Sequence, residues 1–279
     1  MMLQEERRFL PDMNRLSILV SVILLAYAVM PFVTLTTRDI VIRAIGAEFV
    51  FRLNFSTIIS ILTSALAATG MNWLVGDHPH LSRQSGWQHW ILPALTAWVI
   101  GVPLRTLSIG WQWWAVFAFG GLLLVLVFLA EYIVVDLSDV RHTMASLGLI
   151  AVSFALYLVI SIAVRAADWR VYLLAPVLAI PMFLVCLRAL YLRLEGRWCV
   201  AWSAGIALFV SQFGVALHYW PIMPLTFGLL VLGPAYALTS VAVAIEEERS
   251  WQTLWIEPAV MLFLIWGLAV FWGGWFQAQ

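Results

Sequence analysis

The chain has 279 residues, of which 63% are hydrophobic and 11% charged, and its mean hydropathy is +0.96. Soluble domains carry about 25% charged residues, so this composition excludes a soluble globular protein. Fifteen basic residues balance fifteen acidic ones, which argues against a nucleic-acid partner.

Apolar runs long enough to cross a membrane recur along the chain. A hydrocarbon core about 30 Å thick needs about 20 apolar residues at about 1.5 Å each. The clearest run is uncharged from Trp113 to Ala130, within a stretch from Trp111 to His142. The pattern predicts an all-α polytopic integral membrane protein with about nine transmembrane helices. One predicted span lies within that stretch, and the others lie at about 16–36, 55–75, 90–108, 143–164, 171–192, 199–219, 222–245 and 254–276.

The loops between these spans are too short for a soluble domain. We therefore expect a single transmembrane domain over residues 1–279. Its first 15 residues form a charged N-terminal tail. The span at 55–75 carries Ser56, Ser60, Ser64 and Ala68 at intervals of four, a small-residue stripe that predicts close packing against another helix.

Residues 39–54, between the first two spans, have charges at strand spacing rather than helical spacing. A two-residue turn at Gly46 and Ala47 would place Arg43 opposite Val50. In that register every charge lies on one face and the large apolar residues lie on the other. The sequence predicts a short amphipathic β-hairpin that docks on the membrane interface or on the span ends, because an isolated hairpin is marginally stable.

Arginine placement sets the predicted orientation. With the N-terminus in the cytoplasm, nine of the fifteen arginines fall on the cytoplasmic side and six on the other. We expect a multi-pass protein of a cell membrane, interpreted as a cell inner membrane, with its C-terminus and the hairpin outside.

This topology gathers ionisable residues on the cytoplasmic face, and they form the best candidate site. The candidates for acid-base catalysis are Glu131, Asp136, Asp139 and His142. Asp139 and His142 are three apart, and a carboxylate with a histidine at this helical spacing recurs in metal-binding bundles. The candidate metal ligands are His78, His80, Asp139 and His142, since imidazole suits zinc and related ions; His89 lies on the same face.

Three polar residues fall within or near apolar spans. Glu131 and Glu257 have apolar neighbours on both sides, and an ionisable group at such depth is costly and often functional. Gln212 lies near the middle of its span, where a helix-to-helix hydrogen bond is the expected role. We predict Gln212 and Glu257 to be membrane-buried polar residues.

The sequence excludes some cofactors but does not identify one. All basic residues are arginine, so a Schiff base with retinal or pyridoxal phosphate is excluded, as is a Walker lysine. The cysteines Cys186 and Cys199 have no ligand spacing and are interpreted as small buried hydrophobic residues. A divalent metal stays open.

Three hypotheses for function remain. The first is a non-catalytic membrane subunit, assembly factor or scaffold that binds other membrane chains through a tryptophan-rich surface, since the chain holds 16 tryptophans. The second is a membrane-embedded enzyme that acts on a lipid or isoprenoid through the cytoplasmic histidine and carboxylate cluster. The third is a transporter or channel, in which Pro176, Pro181 and the Gly233-Pro234 pair would break helices at depth.

Overall fold

A computed structural model describes residues 11–33, 38–44, 47–76, 86–136, 140–167 and 171–277, with backbone alone for 38–44, 47–53, 251–253 and 274–277. Across these ranges the chain forms nine α-helices and two β-strands. The helices are α1 Met13–Val29, α2 Phe55–Val75, α3 Ile91–Thr106, α4 Trp111–Val134, α5 His142–Ala166, α6 Val171–Arg193, α7 Val200–His218, α8 Pro224–Glu246 and α9 Trp251–Gln277. The strands are β1 Arg38–Ala44 and β2 Ala47–Leu53, and short 3₁₀ segments occupy Met30–Phe32 and Gly86–His89.

Eight helices in the described ranges are long and apolar enough to cross a membrane, α1 being counted together with the 3₁₀ turn that follows it. The exception is α3, which has 16 residues. At about 1.5 Å per residue it is about 24 Å long, shorter than a hydrocarbon core of about 30 Å. The chain is therefore a polytopic all-α membrane protein, and its described ranges contain eight such helices where nine spans are predicted.

Polar residues at the helix starts set two boundaries. The side chain of Asp12 accepts a hydrogen bond from the backbone N–H of Asn14, so α1 begins at Met13, inside the predicted charged tail. Asn54 accepts from the N–H of Thr57 in the same way at the start of α2. Each cap satisfies an N–H that has no partner within its own helix.

The strands β1 and β2 pair antiparallel, with Arg43 opposite Glu48 and Ala44 opposite Ala47. The predicted register, with Arg43 opposite Val50, is wrong by two residues. The observed register places residues of opposite charge directly across from each other, which stabilises a strand pair. Residues 45 and 46 lie outside the described residues, and the sorting of side chains between the two faces stays a prediction.

Contacts divide the chain into two compact units, Met1–Ala145 and Ser146–Gln279. The first unit contains α1 to α4, which pack around a shared apolar core. The core residues with no exposed surface include Ile23, Tyr27, Ala67, Met71, Ala97, Leu124 and Phe128. The expected single transmembrane domain stays a prediction.

The serine stripe of α2 packs closely against α3, as the sequence predicts. Ser64 Oγ donates to the carbonyl of Ala94 at 2.8 Å. A Cβ at Gly101 of α3 would lie 2.7 Å from Ser60 Oγ, so a larger residue there would force Ser60 or the helices to shift. Small residues on both helices bring the two backbones together.

The second unit contains α6 to α9 and most of α5. Its α8 is the most enclosed of the eight long helices and α9 the least. Gly228 of α8 faces α5 closely, since a Cβ there would lie 2.7 Å from Ile162 Cγ1. The predicted break at Gly233-Pro234 is wrong, because α8 continues through Pro234, and α6 likewise continues through Pro176 and Pro181.

Candidate functional site

Glu131 and His89 form a buried pair in the first unit. Glu131 lies on α4, three residues before that helix ends, and His89 is the last residue of the 3₁₀ segment that precedes α3. His89 Nδ1 lies 2.8 Å from Glu131 Oε2. His89 is 3% exposed and Glu131 has no exposed surface. The pair therefore joins the 3₁₀ segment to α4 away from solvent.

The neighbours of the imidazole indicate its tautomer. Gln88 Nε2 lies 3.3 Å from His89 Nε2, and an amide nitrogen can only donate. His89 Nε2 then accepts from Gln88, while Nδ1–H donates to the Glu131 carboxylate. Both ring nitrogens are thus engaged, and the carboxylate fixes the orientation of the ring as it does in carboxylate–histidine pairs elsewhere.

The other predicted site residues do not join this pair in the described part of the chain. Asp136 follows the end of α4 and His142 begins α5, and both are half-buried. Asp139, His78 and His80 lie outside the described residues. Within the described ranges no group of three or more His, Cys, Asp or Glu side chains could hold a metal ion. The metal set therefore stays a prediction.

The sequence pattern predicted His89 and Glu131 on one face of the membrane but did not pair them. Helical spacing favoured Asp139 with His142, which are close in sequence. The missed signal was depth: Glu131 lies about one turn inside α4, and His89 directly precedes the predicted span at 90–108. A carboxylate at that depth needs a partner from a neighbouring helix end.

Glu257 lies on α9 within a polar network of the second unit. Ser240 Oγ donates to Glu257 Oε1 at 3.0 Å, and Tyr236 Oη donates to the same oxygen at 3.4 Å. Arg193 Nη1 lies 3.9 Å from Oε1, and Arg249 Nη1 lies 3.6 Å from Oε2. The Glu257 side chain is 42% exposed, so the protein does not enclose it as it encloses Glu131.

This network connects the last turn of α6, the C-terminal half of α8 and the first turns of α9. Arg193 also donates to Tyr236 Oη at 3.2 Å and to Ser240 Oγ at 3.3 Å. Exposed ion pairs contribute about 0–1 kcal/mol, so the network orients the helix ends more than it stabilises them. Its geometry is that of a packing contact between three helices.

Gln212 lies on the exposed side of its helix. It lies on α7, twelve residues after the helix begins, and its side chain is exposed. Among the described residues it has no side-chain hydrogen bond, so the expected helix-to-helix bond of Gln212 stays a prediction. An exposed amide near the middle of an apolar helix is a polar group in need of a partner.

A second buried polar cluster was not anticipated. Tyr27 Oη of α1 donates to the carbonyl of Ala97 on α3 and contacts Thr63 Oγ1 of α2 at 2.7 Å. Tyr27 has no exposed surface. One hydroxyl thus links three helices, and Thr63 lies beside Ser64 of the serine stripe rather than within it.

The cysteines occupy different environments. Cys186 is fully buried and its Sγ lies 3.3 Å from Thr239 Oγ1, which confirms the buried interpretation for that residue. Cys199 precedes α7 and is partly exposed, so the same interpretation is wrong for it. Burial raises the pKa of the Cys199 thiol, the Glu246 carboxylate raises it further, and the Arg197 guanidinium acts in the opposite direction.

The apolar helices, with polar side chains paired between them, define a polytopic membrane protein. The chain belongs to the family described as protein of unknown function (DUF5656), whose model matches residues 35–272. No curated protein and no solved structure matches the chain.

Proposed function

We propose that the protein is a non-catalytic membrane subunit, assembly factor or scaffold that binds another membrane chain. The observation that carries this proposal is the enclosed pair of His89 and Glu131. Glu131 was the strongest candidate for chemistry, and its carboxylate has no exposed surface and accepts from an imidazole whose two nitrogens are both engaged. A group that binds substrate must reach it, whereas this pair faces its own helices.

The transporter hypothesis loses its support from the helices. Discontinuous helices at depth supply the binding sites of many transporters. In this chain α6 and α8 continue through the prolines that suggested such breaks. Buried polar side chains such as Tyr27 and Glu131 instead connect elements within the first unit.

The least enclosed helix is the surface that we assign to the partner. Large apolar side chains are exposed along α9, including Trp255 at 50%, Phe263 at 79% and Leu264 at 62%. Lipid can cover such a surface, and so can a transmembrane helix of another chain. Tryptophan and phenylalanine provide large contact areas with few rotatable bonds, which favours helix association.

The proposal includes a topology. We infer nine spans, with the short α3 crossing as part of a helix group, the N-terminus in the cytoplasm and the C-terminus outside. The amphipathic hairpin of β1 and β2 then lies outside and rests its apolar face on the interface. The cell inner membrane is the proposed location, in keeping with the arginine bias.

Native mass spectrometry of the protein, gently extracted from its own membrane, tests the function. We expect a mass that contains a second kind of chain. A protein found without any other chain would contradict the proposal. A stoichiometric metal or lipid on such a protein would favour the enzyme hypothesis and direct attention to Asp136 and His142.

A matched pair of variants tests the surface. Leu264→Ala alters a side chain that is 62% exposed on α9, and Ile180→Ala alters a side chain that is 61% exposed on α6. We expect the partner to be lost from the first variant and retained in the second. Equal retention in both would show that α9 is not the binding surface.

A further inference from the structure

Gln212 lies at the centre of the exposed arc of α7. Successive helical residues are about 100° apart, so Ala201, Gly205 and Gln212 fall within about 40° of one another. Ala216 continues the same line, and all four residues are exposed. We call these four residues the Gln212 face. Leu208 and Phe209 flank it, exposed at 59% and 53%.

The Gln212 face permits close approach by another backbone. Ala201 and Gly205 are four apart, which is the small-residue spacing that brings transmembrane helices together. A Cβ at Gly205 would meet no atom of this chain within 4 Å, so the space beside it is open. The amide of Gln212 lies two turns further along the same line.

The amide requires a hydrogen-bond partner of a particular kind. An amide left without a hydrogen-bond partner in hydrocarbon is unfavourable, because no water is present to bond it. Within the described residues the chain offers Gln212 no partner of its own. A glutamine amide has both donors and acceptors, so a second glutamine amide at equal depth satisfies it.

We propose that the Gln212 face of α7 binds the same face of a second copy of this chain, with the two Gln212 amides hydrogen-bonded to each other. Copies inserted in one membrane share an orientation, so a two-fold axis along the membrane normal places equal residues at equal depth. The small residues of one copy then meet those of the other. This site goes beyond the proposed function, because the partner there is the protein itself.

Energy transfer between donor-labelled and acceptor-labelled copies of the full chain in lipid vesicles tests the inference. We expect transfer that rises with the protein-to-lipid ratio as a dimer does. Gln212→Leu should lower the association constant about three- to thirtyfold, since interhelical hydrogen bonds are worth about 0.6–2 kcal/mol. Gln212→Asn, which keeps the amide, should retain more of the association.

Two glycines provide a matched control. Gly205→Leu fills the open space on the Gln212 face and should weaken the dimer at least tenfold. Gly267→Leu makes the same change on α9, where a Cβ also meets no atom within 4 Å, and should leave the dimer intact. Three results would overturn the inference. They are energy transfer no greater than random at every protein density, no effect of Gly205→Leu and Gln212→Leu, and an effect of Gly267→Leu equal to that of Gly205→Leu.

The outcome is separable from that of the proposed function. A native complex that holds another kind of chain with one copy of this protein would overturn the dimer and support the proposed function. A dimer without any other chain would do the reverse.

Discussion

His89 Nδ1 and Glu131 Oε2 lie 2.8 Å apart between two side chains that are both buried. The two residues come from segments 42 positions apart in the sequence. Their bond fixes the 3₁₀ segment before α3 against the end of α4. The strongest candidate for chemistry is therefore a determinant of packing in the first unit.

Removing the carboxylate should destabilise the first unit. Glu131→Ala leaves His89 Nδ1 without its acceptor, which costs about 1–3 kcal/mol for a buried donor. Equilibrium unfolding in mixed micelles measures the change, and a cycle with His89→Ala isolates the coupling between the two side chains. Glu257→Gln is the control, and we expect a change within about 1 kcal/mol because that side chain is 42% exposed. Equal effects of the two substitutions would contradict the distinction.

Two buried tyrosines should respond in opposite directions to loss of the hydroxyl. Tyr27→Phe removes the contact with Thr63 and the bond to Ala97, and should cost about 1 kcal/mol of unfolding free energy. Tyr157 Oη is buried and has no hydrogen-bond partner in the described chain, so Tyr157→Phe should be neutral or stabilising by up to about 1 kcal/mol. Thermal unfolding of both variants in one detergent gives the comparison; a larger loss at Tyr157 would refute it.

A methyl group at Gly101 should disrupt the contact between α2 and α3. Its Cβ would lie 2.7 Å from Ser60 Oγ and 3.0 Å from Tyr27 Cε1. Overpacking of this kind costs about 1–3 kcal/mol. At Gly148 of α5 the added Cβ meets no atom within 4 Å, so Gly148→Ala should gain up to about 1 kcal/mol of helix propensity. Unfolding midpoints that fall equally in both variants would argue against the packing explanation.

The thiol of Cys199 should react slowly at neutral pH. Its pKa is raised, so below that pKa the thiolate fraction and the alkylation rate increase about tenfold per pH unit. Glu246→Gln removes a negative charge, lowers the pKa and should accelerate alkylation at fixed pH. Arg197→Gln removes a positive charge and should slow it. An impermeant maleimide gives both rates, and Cys199→Ser is the control for labelling elsewhere.

The same reagent tests the orientation of the helices. With the N-terminus in the cytoplasm, Cys199 faces the cytoplasm at the start of α7. In right-side-out vesicles, the impermeant maleimide should not label Cys199 while the vesicles are intact. It should label Cys199 after they are opened. Labelling from the outside would reverse the proposed topology.

The sequence predicted the features that depend on local patterns of apolar and small residues. Continuous apolar runs identify membrane helices because hydrocarbon demands about 20 apolar residues, and the eight long helices follow these runs closely. The serine stripe of α2 identified a packing face for the same local reason. The register of β1 and β2 was missed because it depends on which charges pair across the strands, and two registers sort the faces equally well.

The candidate site was harder to predict than the helices. Pairs such as His89 with Glu131 depend on which helix ends meet at equal depth, and local spacing does not contain that information. Gln212 illustrates the same limit, since its span was predicted but the direction of its side chain depends on how α7 packs on its neighbours. Proline positions misled for a related reason: α6 and α8 continue through their prolines, and membrane helices tolerate proline where neighbouring groups satisfy the freed backbone.

The short length of α3 affects how this protein adapts to bilayers of different thickness. From Ile91 to Leu104 no residue of α3 is exposed, so its neighbours shield it from acyl chains. Non-helical backbone at membrane depth is tolerated where protein covers it, and the segment Gly86–His89 lies at the end of this shielded helix. Hydrophobic mismatch therefore acts on the long outer helices, which can tilt, while α3 and His89 keep their depth relative to the helices around them.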